Sequence, residues 1–122
     1  NLPLLFGPVG KTSYVMEQFR SFNDLLRPLN LRVVELHLTE RRTWFMTMDN
    51  GLQVVLDQTQ VHEKLQRFLW VYQRILSPHA PSIERIDLRY RYGLAVKWKE
   101  GQAVAVVNNQ LAATTVQNKQ PI

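Results

Sequence analysis

The feature that most constrains this chain is the triplet Asp49-Asn50-Gly51, set between two runs of partly alternating character. Asn-Gly pairs accept the positive φ that tight hairpin turns demand, so the triplet commits the chain to an antiparallel strand pair. The run before it is RRTWFMTM, Arg41 to Met48. A strand there puts Arg42, Trp44, Met46 and Met48 on one side and Arg41, Thr43, Phe45 and Thr47 on the other. The first set is the more apolar and goes to the core, which leaves Arg41 on the open face of the sheet. LQVVLD, Leu52 to Asp57, is the returning strand.

A lone hairpin is marginal in water, so other elements must cover it. The N-terminal segment, Asn1 to Gly10, is expected to be extended, with Leu4, Leu5 and Phe6 docking on the body. Thr12 or Ser13 can cap a helix whose apolar stripe is Val15, Phe19, Phe22 and Leu26, and Pro28 stops it. LRVVELHL, Leu31 to Leu38, is β-branched and predicts a strand. A second helix runs from about Gln60 to Leu76 on Val61, Leu65, Phe68, Leu69, Tyr72 and Leu76. Glu63 and Arg67 sit four apart on its solvent side, a pairing worth roughly 0.2–0.5 kcal/mol. SPHAPS ends it with two prolines.

The last hairpin is IDLRYRYGLAVKWK, Ile86 to Lys99, with three aromatic and four basic residues. Ile86 to Tyr90 forms one strand, Arg91 to Gly93 turns, and Leu94 to Lys99 returns. Leu94, Val96 and Trp98 face the core, and Ala95 and Lys97 face outward. The sum is an α+β fold: two amphipathic helices packed on one face of a largely antiparallel sheet of about five strands. The other face is polar and basic, with Arg41, Thr43, Arg89 and Lys97. Residues 1–100 form the folded domain. The tail, 101–122, is rich in Gln, Asn, Ala and Thr and reads as mostly flexible, although QAVAVV can extend a strand.

Composition sets the function classes. The chain has 122 residues, a formal net charge of +5 and no Cys. One domain fits that length, and thiol nucleophiles, disulfides and thiolate metal sites are excluded. No apolar run is long enough to span a bilayer and no signal peptide opens the chain. NLPLLFGPVG instead implies continuation from an upstream segment. His37, His62 and His79 lie on separate elements without ligand-spaced partners, and the ten acids are scattered. FGPVGKTS, Phe6 to Ser13, has the GKT of a phosphate loop, but Leu5 stands where the motif needs its first Gly. Catalysis and cofactors are therefore not expected. Arg89, Tyr90, Arg91, Tyr92, Lys97, Trp98 and Lys99 would suit a single-stranded nucleic acid, or equally a peptide, since Tyr, Trp and Arg dominate binding hot spots. A terminal hairpin also leaves a strand edge that is either defended or used.

Four segments together resemble one family. LFGPVGKTSYVMEQFR, LTERRTWFMTMDNGLQVVL, KLQRFLWVYQRIL and IDLRYRYGLAVKW are similar, in order and spacing from about Leu4 to Trp98, to the periplasmic β-domain of the FtsQ family of bacterial cell-division proteins. The resemblance implies a non-enzymatic scaffold of the divisome, a domain of a longer protein with one membrane-spanning helix and a POTRA domain, on the periplasmic side of the inner membrane at the division septum. It implies binding of FtsB, and through it FtsL, by strand addition to the last strand, with FtsB carboxylates meeting FtsQ arginines. The matching positions are Arg41, Arg89, Tyr90, Gly93 and Trp98, with the edge strand at Leu94, Ala95, Val96, Lys97, Trp98 and Lys99. Tyr92 stands where the family often has a small polar residue and either enlarges the contact or covers the turn. Arg91 stands where an acid is frequent, which implies a partner segment richer in Asp and Glu. The alternative is an α+β module that binds nucleic acid through the same hairpin.

Overall fold

The computed structural model describes residues 2–99 and 105–107. Its elements are β1 (Leu4–Phe6), α1 (Thr12–Leu26), β2 (Val33–Leu38), β3 (Trp44–Met48), β4 (Gln53–Leu56), α2 (Val61–Val71), β5 (Ile83–Asp87), β6 (Leu94–Trp98) and β7 (Ala105–Val107). All seven strands form one sheet in chain order. The fold is α+β as expected, with more strands than the five anticipated: β1 and β7 extend the sheet at its two ends.

The predicted hairpin is β3 and β4, paired from Trp44↔Leu56 to Thr47↔Gln53. Met48 N donates to Leu52 O at 2.8 Å, and Asn50 Oδ1 accepts from Leu52 N at 3.0 Å. Asp49 also ties the turn to the start of β2: its N–H donates to Arg32 O at 2.8 Å.

Two strand pairs, β1–β2 and β4–β5, are parallel, and the helices are their crossovers: α1 joins the first pair and α2 the second. β1, β2 and β4 run the same way, and both crossovers step in the same direction along the sheet. Right-handed connection then puts both helices on one face. There they bury Val15, Phe22, Leu26, Leu65 and Phe68 against Leu36, Met46, Val54, Ile86 and Val96, which form one row across the sheet. Trp44 anchors this layer, with the Phe22 ring edge-on at 5.2 Å.

Four local expectations are corrected. Neither Thr12 nor Ser13 caps α1; the helix starts on Lys11, without a side-chain cap, because the Pro8–Lys11 turn (Lys11 N to Pro8 O, 3.0 Å) leads the chain straight into it. β3 begins at Trp44, since Arg41 and Arg42 sit in a turn closed by Arg42 N to Thr39 O at 3.0 Å, with Arg42 at φ 67°. β5 ends at Asp87 rather than Tyr90. The Asp87 carboxylate accepts Arg89 N at 3.0 Å and lifts the chain out of the sheet. Arg67 does not pair with Glu63 but reaches across to the loop before β6. The second helix covers the predicted span, but Tyr72–Leu76 is a π turn and Ser77–Ser82 a 3-10 stretch.

Candidate functional site

Strand register gathers the charged loops at one end of the sheet. β2 ends and β3 begins there (Leu38↔Trp44), β4 ends beside them (Trp44↔Leu56), and β5 ends opposite the start of β6 (Asp87↔Ala95). The turn holding Arg41 and the loop 88–93 therefore share an end. β3 and β5 are separated by β4 alone, so these two segments leave the sheet roughly 10 Å apart. Both arginines lie in connecting segments, not on the open strand face assigned to them from alternation.

Arg89 is already paired. Its Nε and Nη2 donate to the two carboxylate oxygens of Asp87 at 3.0 and 2.8 Å. Burial pushes the Asp87 carboxyl up, but hydrogen bonds from the Arg89 side chain and backbone, with the charges of Arg89 and Arg85, outweigh it and hold the group below its usual range. The same fork raises the Arg89 guanidinium against the opposing effect of its own partial burial. A bidentate pair fixes the orientation of Arg89 and leaves Nη1, the nitrogen outside the fork, among its remaining donors. The side chain stays 46% exposed, so a partner can reach it.

The loop beyond Arg89 is held from α2 at three of its carbonyls. Arg67, on α2, donates from Nη1 to Gly93 O at 3.0 Å and Tyr90 O at 3.3 Å, and from Nη2 to Arg91 O at 2.9 Å. Its Nε is buried without a hydrogen-bond partner among the described residues, and this burial lowers its pKa. With the carbonyls drawn inward, the side chains of Tyr90 and Tyr92 stand out, 47% and 74% exposed. The Arg91 guanidinium lies 5.5 Å over the Tyr92 ring. Gly93 closes the loop at φ 80°, a conformation that a Cβ disfavours.

Beside this loop lies a cleft of about 450 Å³ lined by Asp57, Thr59, Gln60, Lys64, Arg89 and Arg91. Lys64 is buried to 2% exposure, and its Nζ meets Asp57 Oδ1 at 2.7 Å. Sequence reasoning missed Lys64 and Arg67. The signal for Lys64 was present: it stands three residues after Val61 and four before Phe68, on the apolar stripe itself, where a cation requires a partner.

β6 carries Leu94, Ala95, Val96, Lys97 and Trp98. Leu94 and Val96 are fully buried on the helix face, and Trp98 packs beside them, with the His79 ring edge-on at 6.2 Å. Lys97 is exposed on the opposite face, 3.8 Å from Glu84. The flank of β6 is not bare: β7 pairs with it as Leu94↔Val107, Ala95↔Val106 and Val96↔Ala105. Within QAVAVV, Ala105–Val107 extend the sheet, and the rest of the tail lies outside the described residues. The open face is also less polar than expected. The row Phe6, His37, Phe45, Val55, Asp87 and Ala95 crosses it, and Val55 and Ala95 in that row are buried outside the main core.

The site residues expected from sequence thus fall in three groups: Arg41 in its turn, Arg89 to Gly93 in the clamped loop, and Leu94 to Trp98 on a strand capped by β7. The family model described as "Cell division protein FtsQ/DivIB, C-terminal" matches residues 1–89. The chain belongs to the FtsQ/DivIB family. It is similar to the cell division protein FtsQ of Acinetobacter oleivorans, 46% identical over 93% of this chain and 40% of that relative. The FtsQ of Coxiella burnetii is 32% identical over 81% of this chain and 41% of the relative. That of Vibrio cholerae is 33% identical over 86% and 40%. The chain spans about 40% of the length of these FtsQ relatives. The matched family and these relatives are described as cell division proteins. Among the described residues, no helix is long and apolar enough to cross a membrane, and no group of three His, Cys, Asp or Glu could hold a metal ion.

Proposed function

We propose that this domain is a non-enzymatic scaffold that recruits FtsB, and with it FtsL, to the division septum from the periplasmic side of the inner membrane. The rest of a longer, membrane-anchored protein supplies the anchor. FtsB adds a strand along β6, and its carboxylates meet Arg41 and Arg89.

The observation that carries this reading is the fixed loop that leads into β6: Arg89 is oriented by Asp87, and the rings of Tyr90 and Tyr92 stand exposed beside the strand. β7 pairs with β6 at Leu94, Ala95 and Val96, and the incoming strand takes its place along β6, each backbone hydrogen bond contributing roughly 0.5–1.5 kcal/mol net. Side chains then set its register: Arg89 presents its free nitrogen, Tyr90 and Tyr92 offer exposed rings, and Arg91 and Lys97 favour an acidic partner. Nucleic-acid binding gains no comparable support, since it makes no use of the β6 edge, and the basic and aromatic residues of the loop serve a peptide equally well.

The test is titration of the periplasmic segment of FtsB onto this chain and onto Arg89→Ala and Arg41→Ala, with circular dichroism on each. Each variant is expected to stay folded and to bind about tenfold more weakly, the loss of a charge-assisted bond. Unchanged affinity in a folded Arg89→Ala would overturn the charge contact. An oligonucleotide shift that falls steeply with salt would favour nucleic acid instead.

A further inference from the structure

We propose that Arg67 is a positioning residue for the partner-binding loop: it holds Tyr90, Arg91 and Gly93 by their carbonyls and so sets the side chains of 89–92 in their binding arrangement. The inference rests on the FtsB reading for its function, but the clamp itself stands on geometry. One guanidinium takes three carbonyl acceptors within 3.3 Å, those of Tyr90, Arg91 and Gly93, in the loop between β5 and β6.

A structural salt bridge would explain a half-buried arginine more simply, but the partners of Arg67 are all neutral backbone oxygens. Its Nε is left unpaired in the interior. A side chain that only served helix stability would sooner face solvent and pair with Glu63 one turn away. Arg67 instead gives up hydration and leaves one donor unsatisfied in order to span α2 and the loop. Only a planar fork of five donors can take acceptors spread over Tyr90, Arg91 and Gly93; a lysine ammonium lacks that reach. With the carbonyls turned inward, the exposed side of the loop is left to the tyrosine rings and the Arg89 and Arg91 guanidiniums. A partner then meets a preformed surface and need not order it.

The experiment compares Arg67→Met and Arg67→Lys with the unaltered chain, using two readouts. The first is FtsB affinity in double-mutant cycles. Both variants are expected to weaken binding at least tenfold. The loss from Arg67→Met should not multiply with that from Tyr90→Ala, which lies in the clamped loop, but should multiply with that from Arg41→Ala, which lies in a separate turn. The second readout is the amide order parameters of 90–93 without partner. They are expected to fall from the rigid range near 0.85 to below about 0.6 while β2 and β3 stay unchanged. If Arg67→Met fails to fold, Arg67→Lys, which keeps the charge but not the fork, carries both readouts. Unchanged order parameters, or losses that multiply with Arg41→Ala and Tyr90→Ala alike, overturn the clamp. Failure of the unaltered chain to bind FtsB overturns the partner reading instead, and the order parameters still decide the clamp.

Discussion

Arg89 would enter any complex already engaged with Asp87, and this changes what its removal means. Because the folded state depresses the Asp87 pKa, the pair contributes stability in full above the unfolded aspartate value near 3.9. That contribution is lost as pH falls through the lower folded value. The Asp87→Asn variant should therefore lose less melting temperature than the unaltered chain between pH 5 and pH 2, measured by thermal denaturation at each pH. An equal slope would show that the fork does not couple to folding. The density of basic and aromatic residues around Gly93, Arg89 and Tyr90 among them, was legible in the sequence. Their position was not. Alternation carried the strand through to Tyr90, whereas a single carboxylate hydrogen bond, Asp87 to Arg89 N, ends it three residues earlier. Alternation patterns do not see an Asx turn, because it depends on where the aspartate points and not on hydropathy.

Among the elements, those with a strong period were the most legible. The DNG hairpin, both helical stripes and the alternation of Leu94, Ala95, Val96 and Lys97 all appear as read. β1 escaped because three residues are too few to show a period, and its pairing depends on β2, some thirty residues away. The segment FGPVGKTS illustrates the same limit. Gly7 serves packing, for a Cβ there would lie 2.7 Å from Val15 Cγ2, a buried atom of α1, while Gly10 takes the positive φ, 82°, of the turn into α1. Gly7 lets the exit of β1 pass against the helix, and Gly7→Ala should cost about 1–3 kcal/mol, the usual penalty of an overpacked core. Urea denaturation measures this directly. FtsB affinity of the folded fraction should be unchanged, because Gly7 touches α1 and β2 and not the loop 88–93.

At the scale of the whole molecule, the sheet completes itself. A chain that stopped at β6 would leave the backbone of Leu94 to Trp98 open, and such an edge pairs readily with other chains. β7 closes three of those positions from within the same molecule. Its own residues, Ala105, Val106 and Val107, carry no charge, so backbone pairing and apolar contact are all it can offer. Under the strand-addition reading β7 is a competitor at high effective concentration that the partner must displace. Ending the chain after Lys99 should then tighten FtsB binding, by a factor that reports the strength of the β6–β7 pairing. It should also raise self-association of the free domain, seen by sedimentation. The folded core should persist, because its buried cluster lies between β2 and β6 and the two helices. Weaker binding on truncation would mean that the partner adds to β7 itself, so that the site moves one strand outward. In that case β6 would serve only as the platform on which β7 is laid, and Lys97→Glu, on β6, would weaken FtsB binding far less than the same charge reversal would if the partner lay directly alongside β6.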